Sequence, residues 1–225
     1  MAYSKKELAQ YIDHTNLSDI ATDQEITKLC QEALEYGFKS VCVNPHYVIN
    51  CKRILIDTDV LVCTVVGFPL GMNTIQTKVF ETLDAIKNGA DEIDMVINIA
   101  ELKARNKQYC INEINAVKNA CKDRVLKVIV ETSQLSQEDK IFAAEVIAES
   151  NADFIKTSTG FVGAGAQIED IKLWKSILKD QKLIKAAGGI KTHEQLIEFI
   201  EAGADRIGSS RGVSLIEGKE SNDGY

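Results

Sequence analysis

Two lysines in consecutive predicted strands are the residues best suited to covalent chemistry. Lys156 and Lys185 each follow two apolar residues. Neighbouring strands lie about 4.8 Å apart, so the two ammonium groups should come close together. Burial and a nearby like charge both disfavour the protonated form, and we expect at least one of these lysines to have a lowered pKa. A neutral lysine amine in a pocket is the nucleophile that Schiff-base chemistry requires.

Further charged residues fall on the same side of the predicted strands. Asp94 would supply a counter-charge or a proton relay, and Lys127 and Glu131 share its side of the sheet. A lone lysine on a strand is more often a structural ion pair, but the convergence of two lysines with a carboxylate favours a reactive site. Asp13 and Thr15 add polar groups on another strand, with an N-cap before the first helix as the equally weighted alternative.

Short runs of glycine and hydroxyl residues follow the sixth, seventh and eighth predicted strands. Backbone N–H groups in turns at helix starts bind phosphate, and the last two strands of a barrel are the usual place for such a site. Turns need glycine in any case, so only the agreement between runs is informative. The residues are Ser158, Thr159, Gly160, Gly188, Gly189, Gly208, Ser209 and Ser210.

The histidines and cysteines do not predict a metal site. His14, His46 and His193 have no metal-ligand spacing with one another or with a cysteine, and we predict no required metal. The six cysteines include no CxxC pair. They are widely spaced in an ordinary-sized chain, so we expect reduced thiols, mostly in the core.

Composition narrows the class of protein. The 225 residues are 45% hydrophobic and 26% charged, as in a globular protein with a substantial core. We see no membrane-length apolar run and no signal peptide, and expect a cytoplasmic protein. A net charge of −7 argues against nucleic acid as a partner, so an anionic ligand would need a local site.

The elements that must position these residues form a repeat of helix, short turn and apolar strand. The turns Tyr36-Gly37, Asn88-Gly89, Asn151-Ala152 and Ala202-Gly203 each precede a strand. We predict strands at 12–15, 40–44, 60–66, 93–97, 126–131, 154–157, 183–186 and 206–209. Predicted helices include 24–36, 74–88, 112–121, 137–150, 168–179 and 193–202.

Eight strand–helix units in a chain of this length predict a single-domain TIM (β/α)8 barrel over residues 1–217, followed by a flexible tail at 218–225. A doubly wound open sheet is the alternative fold. In a barrel, strand side chains point alternately to the helix layer and to the lumen. Val41 and Val43 would then face the helices, while Lys127, Lys156 and Lys185 would face the lumen.

Several stretches together resemble the 2-deoxyribose-5-phosphate aldolases, a class I aldolase family of the TIM-barrel type. They span nearly the whole chain in order, and the run around Lys156 is the most specific. The stretches are IDHT at 12–15, VCVNP at 41–45, VGFPLG at 66–71, GADEIDMV at 89–96, LKVIVET at 126–132, FIKTSTGF at 154–161, KAAGGI at 185–190 and RIGSS at 206–210.

The resemblance implies reversible cleavage of 2-deoxy-D-ribose 5-phosphate to acetaldehyde and D-glyceraldehyde 3-phosphate, with no cofactor. It makes Lys156 the Schiff-base lysine, Lys185 the second lysine that keeps its amine reactive, and Asp94 the proton-relay carboxylate. Positions near the substrate and in the phosphate-holding turns would be Asp13, Thr15, Cys42, Lys127, Thr159, Gly160, Gly188, Gly189, Ser209 and Ser210. It also suggests that the terminal Tyr225 assists proton transfer. The alternative is that Tyr225 belongs to a solvated tail without a role in the reaction.

The chain departs from the family pattern at 162–167, and Arg211 stands where a small residue is usual. Phosphate affinity is therefore less firmly predicted than the chemistry. Another phosphosugar-handling barrel enzyme, or a non-catalytic phosphosugar-binding barrel, are the alternatives. A homodimer is one expectation for partners, although no exposed apolar stripe locates an interface.

Overall fold

Eight parallel strands form a closed barrel in the computed structural model, which describes residues 3–218. Each strand pairs with the next, and the first strand also pairs with the eighth. The closed ring confirms the TIM-barrel prediction and excludes the doubly wound sheet, which would keep two open edges. The strands are β1 (Ile12–Asn16), β2 (Ser40–Val43), β3 (Leu61–Val66), β4 (Glu92–Val96), β5 (Val125–Ile129), β6 (Phe154–Lys156), β7 (Leu183–Ala187) and β8 (Arg206–Ser209).

Ten α-helices surround the strands in the described part of the chain. Five predicted helices match to within one residue at each end, while α6 begins at Lys107, five residues earlier than predicted, behind an Asn106 cap. Four short helices of five to seven residues, α1, α3, α5 and α10, escape prediction because they hold too few turns to show a periodicity. The helices are α1 (Lys5–Ala9), α2 (Asp23–Tyr36), α3 (Val48–Ile54), α4 (Ile75–Lys87), α5 (Ile99–Lys103), α6 (Lys107–Cys121), α7 (Gln137–Glu149), α8 (Ile168–Leu178), α9 (His193–Glu201) and α10 (Gly212–Glu217).

The aspartates of the repeated turns have a structural role. Asp91 accepts a hydrogen bond from the N–H of Val62 at 3.0 Å, at the start of the preceding strand. In the same way, Asp153 accepts from the N–H of Leu126 at 2.7 Å and Asp205 accepts from the N–H of Ile184 at 2.9 Å. Each carboxylate therefore satisfies a backbone donor that the sheet leaves open at the amino-terminal end of the barrel.

The predicted alternation of strand side chains is confirmed by the packing. Val41, Val43 and their counterparts on other strands join the large core between barrel and helices, where Trp174 is fully buried. A smaller apolar cluster forms separately from Leu17, Cys42, Cys63 and Val65. The inner side of the barrel is thus mostly polar. Within residues 3–218, no helix is both long enough and apolar enough to cross a membrane.

Candidate active site

One carboxylate, Asp94 on β4, lies at the centre of the lumen and contacts three lysines. Its Oδ2 atom is 2.7 Å from the Nζ of Lys156 and 2.7 Å from the Nζ of Lys185. Its Oδ1 atom is 2.9 Å from the Nζ of Lys127. The residues come from four consecutive strands, and all four are buried. Burial alone would raise the pKa of Asp94, but the ammonium groups of Lys127, Lys156 and Lys185 outweigh it and hold this pKa well below its usual value.

A second layer of charges lies towards the amino-terminal end of the strands. Arg206 donates to Asp13 at 2.6 Å and to both oxygens of Glu92 at 3.1 and 3.2 Å. Two lysines that contact Asp94 also contact this second layer. The Nζ of Lys185 is 2.5 Å from Asp13, and the Nζ of Lys127 is 2.6 Å from Glu92. Burial opposes ionisation of Asp13, but Arg206, Lys185 and Lys127 outweigh it and lower its pKa. Asp13 is therefore a lumen residue and not an N-cap; Thr22 caps α2 instead.

This second layer corrects the expectation about Lys185. Burial lowers the pKa of Lys185, but Asp13 and Asp94 outweigh it and raise that pKa above its usual value. The sequence predicts a lowered pKa for at least one of Lys156 and Lys185, and Lys185 is not that lysine, because a second carboxylate outweighs the neighbouring ammonium group. Lys185 is thus a stable ammonium ion shared by two carboxylates.

Sequence reasoning missed Glu92 and Arg206. The predicted β4 began at residue 93, whereas the strand begins at Glu92, two residues before Asp94 and on the same side of the sheet. Arg206 was within the predicted β8, and its inward position could have been read from its spacing to Gly208. Starting β4 one residue earlier would have revealed the ion pair.

Two cysteines lie beside Asp94. Cys42 and Cys63 are partners across β2 and β3, and the Sγ of Cys63 is 3.2 Å from Oδ1 of Asp94. The hydrogen bond with Cys63 lowers the pKa of Cys42 and outweighs the effect of burial, whereas burial raises the pKa of Cys63. All six cysteines of the chain are buried free thiols.

Potential metal ligands do come together, although their spacing in the sequence hides them. Ligand atoms of Cys42, Cys63 and Asp94 lie within 4.8 Å of one another, as do those of Asp13, Cys63 and Glu92. Every carboxylate in these groups already contacts a lysine or arginine. A divalent cation would have to displace these cations, so the donor set fits an ion-pair network better than a metal.

A cavity of about 310 Å³ opens at the carboxyl ends of the strands. Lys156 is the lumen lysine that borders it, whereas Lys127 and Lys185 are completely enclosed. Thr15 also lines the cavity, while Asp13 and Cys42 are fully buried and do not line it. The predicted turn residues in its wall are Thr159, Gly160, Gly188, Gly189, Gly208, Ser209 and Ser210, and Lys191 and Arg211, which were not predicted as site residues, join them.

The turns that line the cavity are held by specific contacts. Glu131 accepts hydrogen bonds from the N–H and the hydroxyl of Thr159, at 3.1 and 2.5 Å. Gly188 and Gly189 have φ values of +83° and +77°, which only glycine adopts without strain. The predicted turn residue Ser158 is buried and is not among the residues that line the cavity. Its hydroxyl has no hydrogen-bond partner within the described residues.

The comparisons with known proteins agree with this geometry. A sequence model of the DeoC/LacD family of aldolases matches residues 7–216. The chain is 58% identical over 213 residues to a deoxyribose-phosphate aldolase from Malacoplasma penetrans, covering 95% of this chain and 96% of that one. It is 60% identical over 206 residues to the enzyme of the same name from Ureaplasma parvum, covering 92% and 96%.

A solved structure extends the likeness to the fold. The tetrameric deoxyribose phosphate aldolase from Aeropyrum pernix superposes with a TM-score of 0.89 at 29% identity, covering 95% of this chain and 91% of that one. The residues that the family model matches include every strand and every lumen charge described above. This chain belongs to the DeoC/LacD family of aldolases.

Proposed function

We propose that this aldolase cleaves 2-deoxy-D-ribose 5-phosphate to acetaldehyde and D-glyceraldehyde 3-phosphate, and catalyses the reverse addition, through a Schiff base on Lys156. The observation that carries the proposal is the position of Lys156. It borders the cavity, and its Nζ is 2.7 Å from the Asp94 oxygen that also accepts from Lys185. The relatives are deoxyribose-phosphate aldolases, which supports the choice of substrate.

The reaction uses the iminium ion as an electron sink. The amine of Lys156 adds to the C1 aldehyde and water leaves, giving the iminium. A base removes the C3 hydroxyl proton, the C2–C3 bond breaks into the iminium, and glyceraldehyde 3-phosphate departs from the enamine. A proton then adds at C2, and water hydrolyses the new iminium to acetaldehyde and the free amine. Asp94, Lys185 and a water molecule are the proton carriers that this site offers.

Lys156 differs from the other two lumen lysines in its access to the cavity. Four cationic and three anionic side chains share the two layers, so the lumen carries one positive charge too many when all are ionised. Lys156 borders the cavity, so its amine can meet a substrate aldehyde there. The enclosed Lys127 and Lys185 keep their protons because carboxylates raise their pKa values despite burial.

We assign the substrate phosphate to the turns after β7 and β8 that line the cavity, at Gly188, Gly189, Ser209 and Ser210. Their backbone N–H groups and hydroxyls border the same cavity as Lys156. Lys191 and Arg211 place two cationic side chains in that wall, which compensates for the divergent loop at 162–167. The proposed reaction places no metal or other cofactor in this cavity. A role of Tyr225 in protonation lies outside the described residues.

The remaining parts of the proposal concern the assembly and its location. We place the enzyme in the cytoplasm, which the six free thiols favour. We propose a homodimer, as expected for barrels of this kind, while the relative from Aeropyrum pernix is a tetramer. Light scattering of the purified chain gives the mass of the assembly and tests this directly.

The decisive experiment is a cleavage assay with excess chelator. The wild-type chain should release acetaldehyde from 2-deoxyribose 5-phosphate without added metal. Borohydride with acetaldehyde should attach an ethyl group to Lys156, seen by mass spectrometry. A barrel that only binds the phosphosugar would show neither result, and an isomerase using Lys156 as an anion site would show no trapped imine.

A further inference from the structure

A buried ion pair outside the lumen is left unexplained by the reaction. Lys78 on α4 and Glu113 on α6 are both fully buried, and their charged atoms are 2.7 Å apart. A buried ion pair is a weak source of stability, because desolvation offsets much of the attraction. Its contacts therefore indicate what else it does.

Both charged groups hold backbone at the carboxyl ends of β3 and β4. Lys78 donates to the carbonyl of Gly71 at 2.7 Å and to the carbonyl of Val96 at 2.7 Å. Glu113 accepts from the N–H of Asn98 at 2.9 Å. The pair thus ties the loop after β3, residues 67–74, to the end of β4, two residues beyond Asp94.

The loop after β3 has little freedom around this tie. A Cβ atom on Gly67 would lie 2.7 Å from Cε of Lys78, and one on Gly71 would lie 2.1 Å from the carbonyl oxygen of Ile97. The N–H of Gly67 donates to Glu81 at 2.7 Å. Lys78 therefore packs directly beneath the residue that precedes Phe68.

Phe68 transmits this fixed position to the cavity. Its ring meets the ring of Phe161 edge-on, with centroids 5.2 Å apart, and packs on the inner cluster that contains Leu17. Phe161 and Leu17 both line the cavity that Lys156 borders. Phe68 thus supports the apolar wall of the cavity from behind.

We propose that Lys78 and Glu113 are positioning residues that act through Phe68 on the apolar wall beside Lys156. A wall displaced by about 1 Å misplaces the bound aldehyde and admits water, which costs catalysis much more than binding. This inference rests on the proposed reaction at Lys156. The wild-type cleavage assay tests the Lys156 reaction by itself, so its failure can be distinguished from a failure of the positioning role of Lys78 and Glu113.

The test is a double-mutant cycle of Lys78→Met and Phe68→Ala. The measured quantity is kcat/KM for cleavage, divided by the fraction of chains that borohydride traps so that it refers to chains able to form the imine. We expect each single variant to lose about tenfold, mainly in kcat, and the double variant to lose about tenfold as well. Independent effects would multiply to about a hundredfold and would overturn the proposal. So would an unchanged kcat/KM in Lys78→Met.

Two further variants separate positioning from general stability. Lys140→Met removes the 2.7 Å ion pair of Lys140 with Asp170, which joins α7 and α8 away from the cavity. It should lower Tm and leave kcat/KM unchanged. Glu113→Gln takes the place of Lys78→Met in the cycle if that variant fails to fold, and the same non-additivity with Phe68→Ala is expected. Equal kinetic losses in Lys140→Met and Lys78→Met would also overturn the proposal.

Discussion

Lys156 differs from the other lumen lysines in what surrounds it. Among the described residues, Lys127 and Lys185 each contact two or more carboxylates and are completely enclosed, whereas Lys156 contacts one carboxylate, Asp94, at 2.7 Å and borders the cavity. Burial with two or more carboxylates holds Lys127 and Lys185 as ammonium ions, whereas Lys156 lies where a substrate in the cavity can reach it. The residue type is the same in all three cases, and the neighbours decide the role.

At the scale of this residue, we expect Lys156→Arg to lose cleavage by about 10³-fold or more. Arginine keeps the positive charge but cannot lose its proton in a protein, so it cannot form the imine. Cleavage rates and the mass of borohydride-treated protein provide the measurement. Lys107→Arg, on α6 outside the cavity and paired with Glu149, is the matched control and should retain both signals. Substantial activity in folded Lys156→Arg would show that another group is the nucleophile.

Lys185 tests whether a lumen ammonium ion moves protons. It touches Asp94 at 2.7 Å and Asp13 at 2.5 Å, which connects the second layer to the reaction centre. We expect Lys185→Leu to slow deuterium exchange into acetaldehyde by about 10²-fold, and more strongly than it slows imine trapping. NMR follows the exchange, and mass spectrometry follows the trapping. Equal losses in the two assays would assign Lys185 a purely structural role.

At the scale of the element, the loop between β6 and α8 is fixed by backbone contact with the turn after β7. The N–H of Ala166 donates to the carbonyls of Ala187 and Gly188, at 3.1 and 3.0 Å. A Cβ atom on Gly165 would lie 2.1 Å from the carbonyl oxygen of Gly188. No flexible side chain is available there to move aside. The loop that carries Phe161 and the glycine turn therefore depend on each other.

Gly165→Ala should consequently damage the phosphate turn. We expect KM for 2-deoxyribose 5-phosphate to rise about tenfold, because backbone must shift to relieve the clash, at a cost of about 1–3 kcal/mol. Cleavage of unphosphorylated 2-deoxyribose should change less. Ala164→Ser, at an exposed position next to it, is the control. A rise in KM that is equal for both sugars would mean that this turn does not hold the phosphate.

The accuracy of prediction differed between elements for physical reasons. Long amphipathic helices and apolar strands carry a periodicity, so α2, α4, α7, α8 and α9 were predictable to within a residue. The short helices carry none. Contacts across the barrel, such as Arg206 with Glu92 or Phe68 with Phe161, join residues that are 114 and 93 positions apart, and only closure of the sheet brings them together.

At the scale of the whole molecule, the barrel separates two kinds of interior. The layer between strands and helices is mostly apolar, with Lys78 and Glu113 as an exception, while the lumen holds a charged network in which each carboxylate contacts more than one cation. Packing of the layer between strands and helices stabilises the fold by removing apolar surface from water. The charged network of the lumen stabilises the fold only while its carboxylates are ionised. Stability should therefore depend on pH through the lumen.

The sign follows from the lowered pKa values of Asp13 and Asp94. In the unfolded chain an aspartate titrates near about 3.9. Both folded pKa values lie below this, so the stabilisation is fully present above about pH 4 and is lost as the pH falls towards the folded values. We expect the free energy of unfolding from urea titrations to stay level from pH 7 to 5 and to fall steeply between pH 4 and 3. Asp13→Asn should be less stable at pH 7 but lose less between pH 5 and 3, whereas the exposed Asp180→Asn should follow the wild-type profile. If the free energy of unfolding of Asp13→Asn fell with pH as steeply as that of the wild type, the loss of stability in acid would come from groups other than Asp13.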